Sequence, residues 1–158
     1  LLEFLYLFVV AKMTLMYQKE VAEKIVPPVK NGKIQKNHMN SLYCLTHTYF
    51  SCEKLLDVSK DSFMPPPKVE SMVVSFVRRE EYVVPLGEMK CFEKFLRLLF
   101  KFKRKTIKKC LTSSLDKDMV KKLLESMNIA ENVRAETLSL DCVQKLYASY
   151  VLLEKSAK

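Results

Sequence analysis

Three consecutive prolines, Pro65-Pro66-Pro67, stand near the middle of this 158-residue chain. Proline fixes φ, lacks a backbone N–H and restricts the residue before it, so neither a helix nor an interior strand can run through them. Residues 63–68 must therefore turn. Behind the turn, Val69 to Val77 has the pattern of a half-buried strand. Phe63 stands at the mouth of the turn. An aromatic held rigidly at a strand end suits a planar ligand, because its stacking geometry needs no reordering on binding. The same pattern also describes a turn aromatic that fills core, and the residues alone leave both readings open.

Composition narrows the class. Hydrophobic residues make up 49% and aromatics 10%, which is enough to build a packed core and excludes a disordered chain. The net charge is +9, which favours a polyanionic partner. The excess is uneven. Residues 1–86 carry 11 Lys/Arg against 9 Asp/Glu, whereas residues 87–158 carry 16 against 9, so the second part is the one expected to face nucleic acid. The five cysteines, at 44, 52, 91, 110 and 142, are odd in number and form no Cys-x-x-Cys pair. Neither His38 nor His47 completes a zinc spacing, so no metal is expected, and free thiols in a reducing compartment are the simplest reading. The apolar opening Leu1–Val10 contains Glu3 and is too short to span a bilayer, so no membrane is expected as a partner.

Along the chain, Leu1–Phe8 reads as the end of a buried helix and Lys12–Tyr17 as a central strand of an α/β sheet. Lys19–Val26 reads as a helix stopped by Pro27 and Pro28. Residues 29–38 read as a polar, basic loop. Met39–Phe50 reads as a helix with Met39, Leu42, Leu45, Thr46 and Tyr49 on one face. Cys52–Val58 and Val69–Arg78 read as antiparallel strands joined through the proline turn. Residues 79–88, with Pro85 and Gly87, mark a boundary. Three helical stripes follow. These are Phe92, Phe95, Leu96 and Leu99; then Met119, Val120, Leu123, Leu124 and Met127; then Val143, Leu146, Tyr147 and Tyr150, with Ser139 as N-cap.

Four stretches in order resemble the rRNA adenine N6-dimethyltransferase family (KsgA-type dimethyladenosine transferases). They are Phe63-Met64-Pro65-Pro66-Pro67-Lys68-Val69-Glu70-Ser71, Met16–Val26, Phe102–Leu111 and Arg134–Ser139. The resemblance implies an α/β fold: residues 1–80 as the C-terminal part of a Rossmann-like S-adenosylmethionine-dependent methyltransferase domain, and residues 81–158 as a small all-helical RNA-binding domain. It implies dimethylation of N6 on adjacent adenines of small-subunit rRNA, with S-adenosylmethionine as cofactor. The family's glycine-rich loop and its Asn-Leu-Pro-Tyr type motif are not in this sequence, whose two glycines, Gly32 and Gly87, lie far apart. The sequence starts at Leu1 rather than Met. The expectation is a C-terminal piece whose cofactor-binding part is missing, with no cofactor-binding residue here. Asn40-Ser41-Leu42-Tyr43 departs from the family's Gly-Arg-Leu pattern, keeping only the leucine.

By the same resemblance Phe63 stacks on the extruded target adenine, and Pro65, with Pro66 and Pro67, is its scaffold. An enzyme that modifies an exocyclic amine must expose the base and hold it between flat or apolar faces. Lys68 and the Gln18-Lys19-Glu20 step are minor candidates at the rim. Lys101, Lys103, Arg104, Lys105, Lys108 and Lys109 put six cations in nine positions. On a helix, Lys101, Arg104, Lys105 and Lys108 share a face while Phe102 turns inward. Like charges at that spacing call for an anion, here RNA phosphate, although a solvated basic face has the same sequence. Two rivals remain: a macrolide-resistance type enzyme acting on large-subunit rRNA, and a non-catalytic RNA-binding or transcription-factor relative. The expected location is the cytoplasm, or an organelle or nucleolus if the source is eukaryotic.

Overall fold

The computed structural model describes residues 10–34 and 38–156. The helix expected over Leu1–Phe8 lies outside them. The described residues fall into two compact units, one of residues 10–34 and 38 with 46–82, the other of residues 39–45 with 83–156.

The first unit is built on a three-stranded antiparallel sheet in the order β1-β5-β4: β1 (Lys12–Gln18), β4 (Phe50–Val58) and β5 (Ser71–Arg78). β5 runs through the middle. Met13 faces Phe76 and Tyr17 faces Met72 on one side, while Phe50 faces Arg78 and Val58 faces Ser71 on the other. The expected antiparallel pair around the prolines is therefore present, with an irregularity in β4 between Lys54 and Leu56. Among the described residues β1 pairs with β5 alone and lies at the outside of this sheet, with Met16 51% exposed. β5 carries the core instead, through buried Met72, Val74 and Phe76. The Phe76 ring takes Tyr17 and Phe50 edge-on, at 6.3 and 6.2 Å between centroids.

Helix α1 (Lys19–Ile25) follows β1 directly and buries Ala22 and Ile25. It stops at Val26, before the Pro-Pro pair. Residues 29–34 are not a plain loop. Val29–Lys30 (β2) and Lys33–Ile34 (β3) pair as a hairpin across Asn31 and Gly32, at φ 53° and 72°. Positive φ at both central residues is what a two-residue hairpin turn requires, and Asn-Gly is the dipeptide best suited to supply it. Helix α2 (Ser41–Tyr49) buries Cys44, Leu45, Thr46, Thr48 and Tyr49 before the chain enters β4.

In the second unit every described element from Met89 onward is helical: α3 (Met89–Leu99), α4 (Ile107–Leu111), α5 (Lys117–Ser126) and α6 (Leu140–Ser156), with short 3-10 turns. The three apolar stripes are its core. Phe92, Leu96, Leu99, Val120, Leu123, Val143 and Leu146 are fully buried. Asp116 caps α5 by accepting from the amides of Asp118 and Met119, and Ser139 caps α6 by accepting from the Cys142 amide. Among the described residues no helix is long and apolar enough to cross a membrane.

Candidate nucleic-acid interface

Phe63 lies on the connection between β4 and β5, and each side of it is tied down. Before it, Lys60–Ser62 forms a 3-10 turn whose cap, Ser59, accepts from the Asp61 amide. The Phe63 amide donates to the Lys60 carbonyl at 3.3 Å. After it comes the proline run, in which the Met64–Pro65 peptide is cis. Glu70 closes the loop: its carboxylate accepts from the Lys60 amide at 3.2 Å, and its carbonyl accepts from the Lys19 amide at 2.9 Å. The first residue of α1 is thus bonded to the far end of the proline loop. Phe63 is half-buried, whereas Met64, Pro65, Pro66, Pro67 and Lys68 are exposed. Strand β5 starts at Ser71, so Val69 and Glu70 belong to the loop.

A shallow depression of about 500 Å³ adjoins this loop, lined by Lys19, Glu20, Glu23, Lys60, Lys68, Val69 and Glu70. Sequence reasoning singles out Lys19, Glu20 and Lys68 there. It misses Lys60 and Glu70, because a backbone-to-carboxylate bond across ten residues has no signature in spacing. Lys19 is further held by Asp57, 3.6 Å away, which also pairs with Lys54. The hydrogen bond from Lys54, with help from Lys19, keeps the Asp57 carboxyl below its usual range.

No nucleophile is prepared among the groups whose titration moves. Burial pushes the Cys44 and Cys52 thiols and the Tyr17 phenol up to about 12, so all three stay protonated at neutral pH. His47 is also held in its neutral form, chiefly by burial. Its Nε2–H donates to the Ile25 carbonyl at 2.8 Å, which ties the end of α1 to α2. Among the described residues no group of three or more His, Cys, Asp or Glu side chains is placed to hold a metal ion. Nor do the glycines form a cradle for S-adenosylmethionine. Gly32 sits at a hairpin tip and Gly87 in a 3-10 turn, and a Cβ on either would meet nothing within 4 Å. Neither glycine therefore brings backbone close to a nucleoside.

In the second unit the six cations do not lie on one helix. Residues 100–106 form turns, and only Lys108 and Lys109 are helical, on the five-residue α4. Two local bonds explain this. The Lys105 amide donates to the Phe102 carbonyl at 3.1 Å, and the Thr106 hydroxyl caps α4 by accepting from the Lys109 amide. A helix start at Thr106 also spares the chain a fully helical run of like charges. The shared face of Lys101, Arg104, Lys105 and Lys108 is therefore replaced by a basic turn leading into a short helix. Lys101, Lys103, Arg104, Lys105 and Lys109 are exposed. Lys108 is paired with Glu131 at 2.6 Å. Among the described residues no carboxylate pairs with Lys103, Arg104, Lys105 or Lys109. Phe102 does not turn inward; it is 42% exposed.

This fold has known counterparts. A crystal structure of a dimethyladenosine transferase from Plasmodium falciparum superposes with a TM-score of 0.73 at 22% identity, over 97% of this chain and 62% of that one. The 23S rRNA methyltransferase ErmE superposes with a TM-score of 0.54 at 20% identity, over 89% of this chain and 55% of its own. The architecture is thus the α/β fold of dimethyladenosine transferases and related rRNA methyltransferases.

The sequence takes the assignment further. Residues 1–151 match the family described as ribosomal RNA adenine dimethylase. Ribosomal RNA small subunit methyltransferase A of Persephonella marina is 31% identical over 153 residues, 97% of this chain and 53% of that protein. The chain belongs to the ribosomal RNA adenine dimethylase family. It spans about half the length of the curated relatives it matches.

Proposed function

We propose that the protein carrying these residues is an S-adenosylmethionine-dependent rRNA adenine N6-dimethyltransferase that acts on adjacent adenines of small-subunit rRNA during ribosome biogenesis. The observation that carries this reading is the clamped setting of Phe63, half-buried between a capped 3-10 turn and the proline run. The small-subunit name of the relative from Persephonella marina supports the choice of substrate over large-subunit RNA. We assign S-adenosylmethionine to the part of the relatives' length that this chain does not span, a reading supported by the lack of a glycine-rich loop in this sequence. Residues 1–80 are then the tail of the catalytic domain, and residues 81–158 a helical RNA-binding domain. The protein works wherever small subunits are assembled, which is the bacterial cytoplasm or, in a eukaryote, an organelle or the nucleolus.

Phe63 stacks on the adenine once it has left the RNA stack, a contact that contributes about 1–3 kcal/mol. Its ring sits at the root of a loop closed by Glu70, so the stacking surface is in place before the base arrives. Pro65 and its neighbours hold the loop. Catalysis by these residues is positioning: a flat base fixed on a flat ring keeps its exocyclic amine at one place and in one orientation. Exposed Lys103, Arg104, Lys105 and Lys109 take phosphates, which sets register without reading sequence.

Transfer of labelled methyl from S-adenosylmethionine to small-subunit RNA, with the whole protein and its Phe63→Ala variant, tests the role of the ring. The variant should lose methylation by at least about tenfold, the upper part of the stacking contribution, while its RNA affinity stays nearly unchanged. Methylation at the wild-type rate would remove Phe63 from the site.

A further inference from the structure

The basic turn contains a side chain that phosphate binding does not use. Phe102 is flanked by Lys101, Lys103, Arg104 and Lys105, and it is the only described aromatic that is exposed. One exposed aromatic is ordinary on a protein surface. Three features set this one apart. First, its backbone is fixed: the Phe102 carbonyl accepts from the Lys105 amide at 3.1 Å and from the Cys110 thiol at 3.8 Å, and Cys110 is buried. The outward ring is therefore set by the turn. Second, the Lys101 ammonium lies over the ring, 5.3 Å from its centroid, and is held within 3.5 Å of the Ser113 hydroxyl. A cation on one face leaves the other face for a second planar group. Third, the cations at 103, 104 and 105 have no carboxylate partner among the described residues, so positive charge surrounds the ring on the chain.

An aromatic face interleaved with unpaired cations matches the chemistry of single-stranded nucleic acid, where bases stack and phosphates pair. Duplex RNA would engage only the cations, since its bases are already stacked on one another. We propose that Phe102 is a stacking platform for an unpaired nucleotide of the bound RNA, so that the basic turn recognises a loop, bulge or strand end and not merely a duplex backbone. This rests on the reading of the turn as an RNA-facing surface. Base–aromatic stacking tolerates any base, so the platform selects unpaired structure over sequence.

The test uses the whole protein and two RNA probes: a short hairpin with 2-aminopurine in an unpaired loop, and the same stem as an uninterrupted duplex. Phe102→Leu keeps apolar bulk and removes the ring face. It should weaken binding to the looped probe about 5- to 140-fold, the range set by one stacked base, and abolish the quenching of 2-aminopurine. Binding to the duplex and the salt dependence should not change. Phe102→Trp should restore both affinity and quenching. Lys105→Ala serves as the control for phosphate contact and should lower the salt slope by about 1. If Lys105→Ala lowers the slope while Phe102→Leu binds and quenches like the wild type, the stacking platform is wrong and the phosphate surface stands. If neither Lys103→Ala nor Lys105→Ala changes the slope, the RNA-facing turn is itself overturned.

Discussion

Two side chains of the first unit show how burial decides a residue's work. Phe63 is neither fully sunk in core nor free on the surface, and its half-buried state suits a ring that must meet a ligand without losing its own position. The proline run made the turn legible, because three fixed φ angles leave little other than a rigid turn. His47 works in the opposite way. Burial lowers its pKa below the ordinary 6.5, against the pull of the Ile25 carbonyl and with the help of Arg79 and His38 nearby. A histidine whose folded-state pKa is depressed takes up its proton more readily when unfolded. Stability is therefore complete above the ordinary value and declines as pH falls below it, towards the folded-state pKa. Urea unfolding between pH 5 and 8 should show this decline in the wild type and a flatter profile in His47→Gln, whose amide can still donate to Ile25. Equal slopes in the two proteins would mean that His47 does not govern acid sensitivity.

Among the elements, those specified by local chemistry were legible and those decided by competition were not. The apolar stripes of α3, α5 and α6 and the cap at Ser139 follow from spacing alone, and each is where spacing puts it. Two elements were missed for different reasons. The Asn31–Gly32 hairpin had its signal in the dipeptide, hidden by the lysines around it. The basic segment misleads because Lys101, Arg104, Lys105 and Lys108 do fall at helical spacing, yet the Thr106 cap and the Lys105–Phe102 turn start the helix later. This matters for binding. Lys105 is exposed and has no carboxylate partner among the described residues, whereas Lys108 is already occupied by Glu131. Lys105→Ala should therefore cost one phosphate contact, about one unit of the salt slope, and Lys108→Ala distinctly less. Slopes measured by titration from low to high salt that fell equally in both variants would contradict the pairing.

Across the whole molecule, charge is divided between the parts of the chain more sharply than apolar content is. The excess of Lys and Arg falls after residue 86, in the helical stretch, while the proline loop and its ring belong to the sheet-bearing unit. This division suits a protein in which one part holds a base and another holds the backbone of the same RNA. The sequence made the division visible through composition. It did not reveal β5 as the strand at the middle of the described sheet, because β1 and β5 carry similar apolar runs and only pairing separates them. The chemistry proposed for that RNA is read out by incubating unmethylated small-subunit particles with the whole protein and S-adenosylmethionine, then identifying the modified nucleosides by mass spectrometry. N6,N6-dimethyladenosine at two adjacent positions is the predicted result; no modified adenine, or modification of large-subunit RNA alone, would contradict it.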